Sequence, residues 1–294
     1  MGHKNKKSLV RQVQENLQEK LSRGVGTSKH LDKQTGSTGD RIYSFSTFQN
    51  YMKHNIQFVN YCKENYGCKT LEDCRPHVDD YLQHRMEACS PWTVKLDAAS
   101  IGKLYGESTT NFCQTPSRLR GDVIRSRGSK GMDRHFSEAR NAKLVEFCRS
   151  TGLRRSEVAS CRGSHLVPCS ASQHGVGIYV PCGKGGKERV APLVCSKEAA
   201  ERIIQQCNTA GDGKLFDKIH SAADIHGYRA DYASAYYRQI APTDTSSIKG
   251  HDRYICRGDK AGVVYSRPHL RQVSAALGHN RECVVANSYL HDVK

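Results

Sequence analysis

Near the end of the chain runs Leu277-Gly278-His279-Asn280-Arg281-Glu282-Cys283-Val284-Val285-Ala286-Asn287-Ser288-Tyr289. A Gly-His pair opens it, a short helix is expected over 281–290, and the tyrosine stands ten residues after the histidine. Five residues follow, Leu290 to Lys294. A tyrosine is ordinarily a packing residue with a wet hydroxyl. What Tyr289 means therefore depends on what the rest of the chain places around it.

Charge is the first clue. The 294 residues carry 45 Lys and Arg against 29 Asp and Glu, a formal net charge of +16, which implies a polyanionic partner. Nucleic acid fits best, because no basic amphipathic helix or lipidation signal points to a membrane. The 13 cysteines are odd in number, scattered from Cys62 to Cys283, and contain no C-x-x-C pair. The N-terminus has no apolar leader, so reduced cytosolic thiols are expected, mostly as small core residues. No run approaches membrane-spanning length.

Three further clusters lie upstream. In Thr151-Gly152-Leu153-Arg154-Arg155-Ser156-Glu157-Val158, Arg154 and Glu157 stand three apart at a helix start, so the carboxylate can fix the guanidinium's pose. In Gly183-Lys184-Gly185-Gly186-Lys187, two lysines sit on a glycine-rich turn between strands, where an ammonium can swing over a phosphate and deliver a proton. The spacing does not match a phosphate-binding loop, which excludes ATP binding by that motif. In His226-Gly227-Tyr228-Arg229 a histidine and an arginine share one helical face, and Arg229 offers a planar fork for two phosphate oxygens.

Taken as a set, in this order, the four elements Thr-Gly-Leu-Arg, Gly-Lys-Gly-x-Lys, His-x-x-Arg and Leu-Gly-His…Tyr resemble the tyrosine recombinases, the family of phage and mobile-element integrases and chromosome-dimer recombinases. The resemblance covers nearly the whole chain after residue 40. It implies catalytic roles for Arg154, Lys184, His226, Arg229, His279 and the nucleophile Tyr289, with Glu157 in support. It implies cleavage through a covalent 3′-phosphotyrosine, a Holliday junction and a homotetramer on two copies of a specific duplex site, helped by accessory DNA-bending or directionality proteins. No cofactor and no metal are expected, since the phosphotyrosine stores the bond energy and no clustered carboxylates suggest a two-metal site.

The expected architecture is mainly α with a small antiparallel β-sheet. Residues 1–40 hold a helix from Ser8 to Leu21 and a flexible Gly24–Gly39 stretch, the helix being too short to own a core and so expected as a docking element. Residues 41–107 read as a helical, DNA-clasping domain, with stripes from Phe45 to Val59 and from Val94 to Leu104 after the Ser90-Pro91 cap. It carries Lys95 on a polar face, beside His54, Lys63, Lys69 and Arg85. The linker, 108–134, holds Arg118, Arg120, Arg125, Arg127 and Lys130 and is expected to lie along a phosphate backbone, as is Lys187 of the hairpin. A catalytic domain spans 135–294, with one strand pair, Gly175–Pro181 and Glu188–Leu193, among helices near 138–149, 154–161, 197–208, 229–238, 268–277 and 281–290.

Three departures from the family pattern stand out. Ala230-Asp231-Tyr232 follows Arg229 where many members have His-Thr. His279 comes 50 residues after Arg229, a longer gap than usual, and the extra stretch 249–265 reads as two short strands around a turn at Gly258–Gly262. That insertion is expected to touch DNA or a neighbouring protomer. Many members also continue past the tyrosine into a helix that docks on the next subunit. Five residues are too few for one, so the subunits are expected to link through the 8–21 helix or the insertion, unless the chain is truncated. The competing functions are a type IB topoisomerase-like strand relaxer and a non-catalytic DNA-binding accessory protein. A cytoplasmic, DNA-associated location is expected for all three.

Overall fold

A computed structural model describes residues 7–118, 136–183 and 186–290. The chain divides into two compact units, Met1–Val123 and Ile124–Lys294. Lys184, Arg120, Arg125, Arg127 and Lys130 lie outside the described residues.

The first unit is a helical bundle. Its helices are α1 (Leu9–Gly24), α2 (Lys29–Gln34), α3 (Phe45–Tyr66), α4 (Leu71–Cys74), α5 (Val78–Ala88) and α6 (Pro91–Tyr105). Local chemistry sets their ends. Ser8, Ser44 and Ser90 each accept a backbone N–H of the first turn, Pro91 fills a position whose N–H would be unpaired, and left-handed Gly67 and Gly106 close α3 and α6.

The stripe Leu9, Val13, Leu17 and Leu21 is buried in the same core as Phe58, Val59, Leu82 and Ile101. This differs from the expected docking arm: α1 owns no core, but it completes one, so its apolar face is already used. The Gly24–Gly39 stretch holds the short helix α2 and is tied at its margins. Gly24 lies so near Ile42 that an added Cβ would sit 2.3 Å from the Ile42 carbonyl oxygen, and Arg41 pairs with Asp32 at 3.0 Å. A buried carboxylate fastens the bundle elsewhere: Asp97 on α6 meets His54 Nδ1 of α3 at 2.5 Å and Arg85 Nε of α5 at 3.0 Å.

The second unit contains α7 (Ala142–Thr151), α8 (Arg155–Ser160), α9 (Lys197–Ala210), α10 (Ile225–Ile240), α11 (Arg267–Ala276) and α12 (Glu282–Ser288). Strands β1 (Leu166–Pro168), β2 (Val176–Val180) and β3 (Arg189–Pro192) form an antiparallel sheet in the order 1-2-3, with Leu166 opposite Ile178 and Ile178 opposite Ala191. The sequence pattern predicts only the β2–β3 pair; Leu166-Val167-Pro168 is too short for an alternating pattern to register. Strands β4 (Arg253–Ile255) and β5 (Val264–Ser266) form the hairpin anticipated in the insertion, with Tyr254 opposite Tyr265.

Helix α10 is the central element. Ten of its sixteen residues are buried, and it joins both apolar clusters of the unit: Ile225 and Tyr228 pack with Phe147, Leu153 and Ile178, while Tyr232 and Tyr236 pack with Leu270, Val285 and Leu290. A helix buried on most faces holds whatever it carries at a fixed place. Among the described residues, no helix is long and apolar enough to cross a membrane.

The role of α1 as core gives a direct prediction. Leu17→Ala should lower stability by about 2–5 kcal/mol, the usual cost of emptying a well-packed leucine site. The single tryptophan, Trp92 of α6, reports the bundle in urea denaturation followed by fluorescence. A loss below about 0.5 kcal/mol, the range of ordinary surface substitutions, would mean that α1 is a detachable arm.

Candidate active site

Three of the four sequence motifs meet around one guanidinium. Asp224 caps α10 by accepting the Gly227 N–H at 2.9 Å, so the helix starts four residues earlier than the sequence suggested and carries both His226 and Arg229. Arg229 is 1% exposed. Its Nη1 donates to the Gly152 carbonyl and its Nη2 to the Leu277 carbonyl, while Nε donates to the Tyr289 hydroxyl at 3.3 Å. Burial draws its pKa below the usual guanidinium value; the contact with Tyr289 opposes that shift, and the nearby charges of Arg154 and Arg189 add to it. The fork expected to face two phosphate oxygens is thus turned to backbone carbonyls.

Tyr289 caps the C-terminal end of α12 and is 5% exposed. Ser234 Oγ of α10 donates to its carbonyl at 3.4 Å. Its hydroxyl lies 3.2 Å from His279 Nε2, which is also 3.4 Å from Arg229 Nη2. A guanidinium only donates, so that contact is favourable when Nε2 carries a lone pair, and the same lone pair faces the Tyr289 hydroxyl. The His226 ring is centred 5.3 Å from the Tyr289 ring, at an interplanar angle of 51°. Two imidazoles therefore flank the phenol, one half-buried (His279) and one exposed (His226).

Arg154 stands at the N-cap of α8. Glu157 accepts its backbone N–H at 2.7 Å and its Nη1 at 2.8 Å, the geometry expected from their spacing. A residue outside the four sequence motifs completes this group. Arg189 of β3, with its side chain 8% exposed, donates to both Glu157 oxygens, Nη1 at 3.0 Å and Nη2 at 2.7 Å, and through Nε to the Ala276 carbonyl at 2.9 Å. Burial pushes the Glu157 pKa up, but the bonds from Arg189, the Arg154 N–H and the Arg154 guanidinium outweigh it and hold the carboxyl at about 2. A signal for Arg189 was available: two-residue periodicity puts it on the same face of β3 as buried Ala191, and a charge on a core face needs a partner.

Arg189 also explains two glycines. A Cβ at Gly183 would lie 2.9 Å from Arg189 Nη1, and one at Gly278 would lie 3.0 Å from the same atom. Gly278 further adopts φ +67°, which a side chain resists. The glycines of two motifs thus leave room for one arginine.

The fold has known counterparts. The crystal structure titled "XerH site-specific recombinase bound to palindromic difH substrate: post-cleavage complex" is similar over 97% of this chain and 93% of that one, with a TM-score of 0.56 and 15% identity. A second XerH structure, titled as a pre-cleavage complex bound to difH substrate, covers 96% and 93%, with a TM-score of 0.52 and 14% identity. The fold is that of the tyrosine recombinases. Neither any protein-family model nor any curated protein matches the sequence.

On the tyrosine-recombinase fold, Arg154, Glu157, His226, Arg229, His279 and Tyr289 gather at one place in the second unit. Lys187 is exposed beside the hairpin turn, which Gly183 N–H closes onto the Lys187 carbonyl at 2.8 Å. Lys95 and Arg118 belong to the first unit, the former half-buried on α6 and the latter exposed. Among the described residues no cluster of three or more His, Cys, Asp or Glu could hold a metal ion.

The shared carboxylate yields a pH prediction. Glu157→Gln leaves two guanidiniums without their counter-charge and should cost about 3–5 kcal/mol near neutral pH. Because the folded pKa lies below the ordinary 4.5, the carboxylate's contribution is complete above pH 4.5 and is lost as pH falls toward 2. Urea denaturation at stepped pH should show wild type and Glu157→Gln converging across that window. A gap that stays constant with pH would contradict the assignment.

Proposed function

We propose that this chain is a site-specific DNA recombinase that breaks and rejoins strands through Tyr289. The observation that carries the reading is Arg229, which ties the Tyr289 hydroxyl, His279 and the Gly152 loop ahead of Arg154 into one buried group. The net charge of +16 supports a DNA partner, and the two XerH structures were obtained with DNA substrates.

In this reading the Tyr289 oxygen attacks the scissile phosphorus. A P–O bond to the tyrosine forms as the P–O5′ bond breaks, giving a 3′-phosphotyrosine and a 5′-hydroxyl. His279, whose Nε2 faces the phenol, takes its proton, and His226 assists from the other side. Arg154 and Arg229 neutralise charge on the non-bridging oxygens. Lys184 protonates the leaving 5′-oxygen. The ester is close in energy to the phosphodiester it replaces, so a second 5′-hydroxyl can reverse the step on a partner strand without ATP.

The wider assignments follow from the same reading. The first unit clasps the duplex, with Lys95 and Arg118 on it; the linker residues Arg120, Arg125, Arg127 and Lys130 serve the phosphate backbone, and Lys187 meets it beside the hairpin. Four subunits assemble on two sites and pass through a Holliday junction, with accessory DNA-bending proteins setting direction. Such a protein works in the cytoplasm on chromosomal or mobile-element DNA. The insertion 249–265 can meet DNA or a neighbour with its exposed side, which includes Ile255 and Arg257.

A nicked suicide duplex carrying the protein's own target site tests the function. Wild type should form a protein–DNA adduct stable to denaturant, and Tyr289→Phe should form none while binding the duplex with unchanged affinity. Intact sites should yield four-way junctions. Adducts and relaxed supercoils without junctions would favour the topoisomerase-like activity, and no adduct at all would favour the DNA-binding accessory role.

A further inference from the structure

The insertion does structural service inside its own chain: one end of α12 is fastened to it directly and the other through Arg267 of α11. Lys260 lies in the turn between β4 and β5. Its Nζ donates to the Ala286 carbonyl at 2.9 Å and to the Leu290 carbonyl, on either side of Tyr289. Carbonyls in the last turn of a helix have no partner within it, and a cation there also meets the negative end of the helix dipole. The Tyr265 ring, centred 5.9 Å from Nζ, confines the ammonium from another side.

The opposite end is held as well. Glu282, the first residue of α12, accepts Arg267 Nη1 at 3.0 Å, and Arg267 Nη2 donates to the Arg253 carbonyl of β4 at 3.3 Å. The same guanidinium lies 5.6 Å from the centre of the Tyr254 ring. Between the two ties, Cys256 and Tyr265 of the insertion are buried with Val285, Ala286, Tyr289 and Leu290 in one apolar cluster. A helix of seven residues has little stability of its own. Its position is therefore set by what it is tied to.

We propose that the insertion is a brace for the nucleophile segment, with Lys260 as the positioning residue that fixes the Tyr289 end of α12. The inference rests on Tyr289 being the nucleophile. Lys260 bonds to backbone carbonyls and acts by keeping the backbone around Tyr289 at the distance where the hydroxyl meets Arg229 and His279. Misplacing a reacting atom by about 1 Å can cost on the order of a hundredfold in rate.

Two measurements on the full chain test this. In hydrogen exchange of the DNA-free protein, Lys260→Met should speed exchange of the 285–290 amides by about tenfold or more, with the α10 amides unchanged. Glu282→Gln should loosen the other end of α12. On the nicked suicide duplex, Lys260→Met should form the adduct about tenfold or more slowly at saturating DNA, with unchanged DNA affinity. Lys260→Arg, which can still donate to both carbonyls, should recover most of the rate. Exchange at the wild-type rate in Lys260→Met would overturn the brace, and so would a rate defect explained wholly by weaker DNA binding. If wild type itself forms no adduct, the recombinase reading fails, and the exchange data alone still decide whether the brace exists.

Discussion

A guanidinium removed from water must be surrounded by acceptors, and Arg229 meets that demand with pieces of chain that are far apart in sequence. The carbonyls of Gly152 and Leu277, the Tyr289 hydroxyl and the His279 ring converge on it from the end of α7, the end of α11 and the α12 segment. The cost of burying that charge is met only when all of these are in place. Folding the second unit and assembling the group around Tyr289 are therefore one event. Helix α10 makes this possible because its neighbouring turns are tyrosine and alanine packed on both sides.

A second charged frame stands beside the first. Glu157 is shared by Arg154 and Arg189, and Arg189 reaches on to the Ala276 carbonyl, one residue ahead of the Leu277 carbonyl that Arg229 uses. Strand β3, helix α8 and the end of α11 are thereby locked in register. Lys260 extends the same logic outward, since it too holds chain by its carbonyls. Each tie uses a long cationic side chain to position backbone, which places the basic composition of the chain inside the unit as well as on its surface.

Much of this was legible in the sequence, for identifiable reasons. Arg154 with Glu157 and His226 with Arg229 follow from helical spacing, and the structure brings both pairs to one place. The hairpin of the insertion follows from its turn residues. What escaped was set by tertiary structure. Three-residue β1 has no period to read. The stripe on α1 is the same whether it faces a partner or its own bundle, so only the packing against Phe58 and Val59 distinguishes the two. Arg189 was hidden by being one more basic residue beside a lysine-rich turn. Its meaning comes from Glu157, 32 residues away. Arg229 shows the converse limit, because its place was expected while the inward turn of its fork was not.

The central claim is that the Tyr289 oxygen is the atom that joins DNA. The most direct measurement is mass spectrometry of the trapped adduct after proteolysis and nuclease digestion. A nucleotide joined through its 3′-phosphate to the tyrosine of the Glu282–Leu290 peptide, with a free 5′-hydroxyl on the released strand, is the result this account predicts. Attachment at another residue, or through a 5′-phosphate, would contradict it.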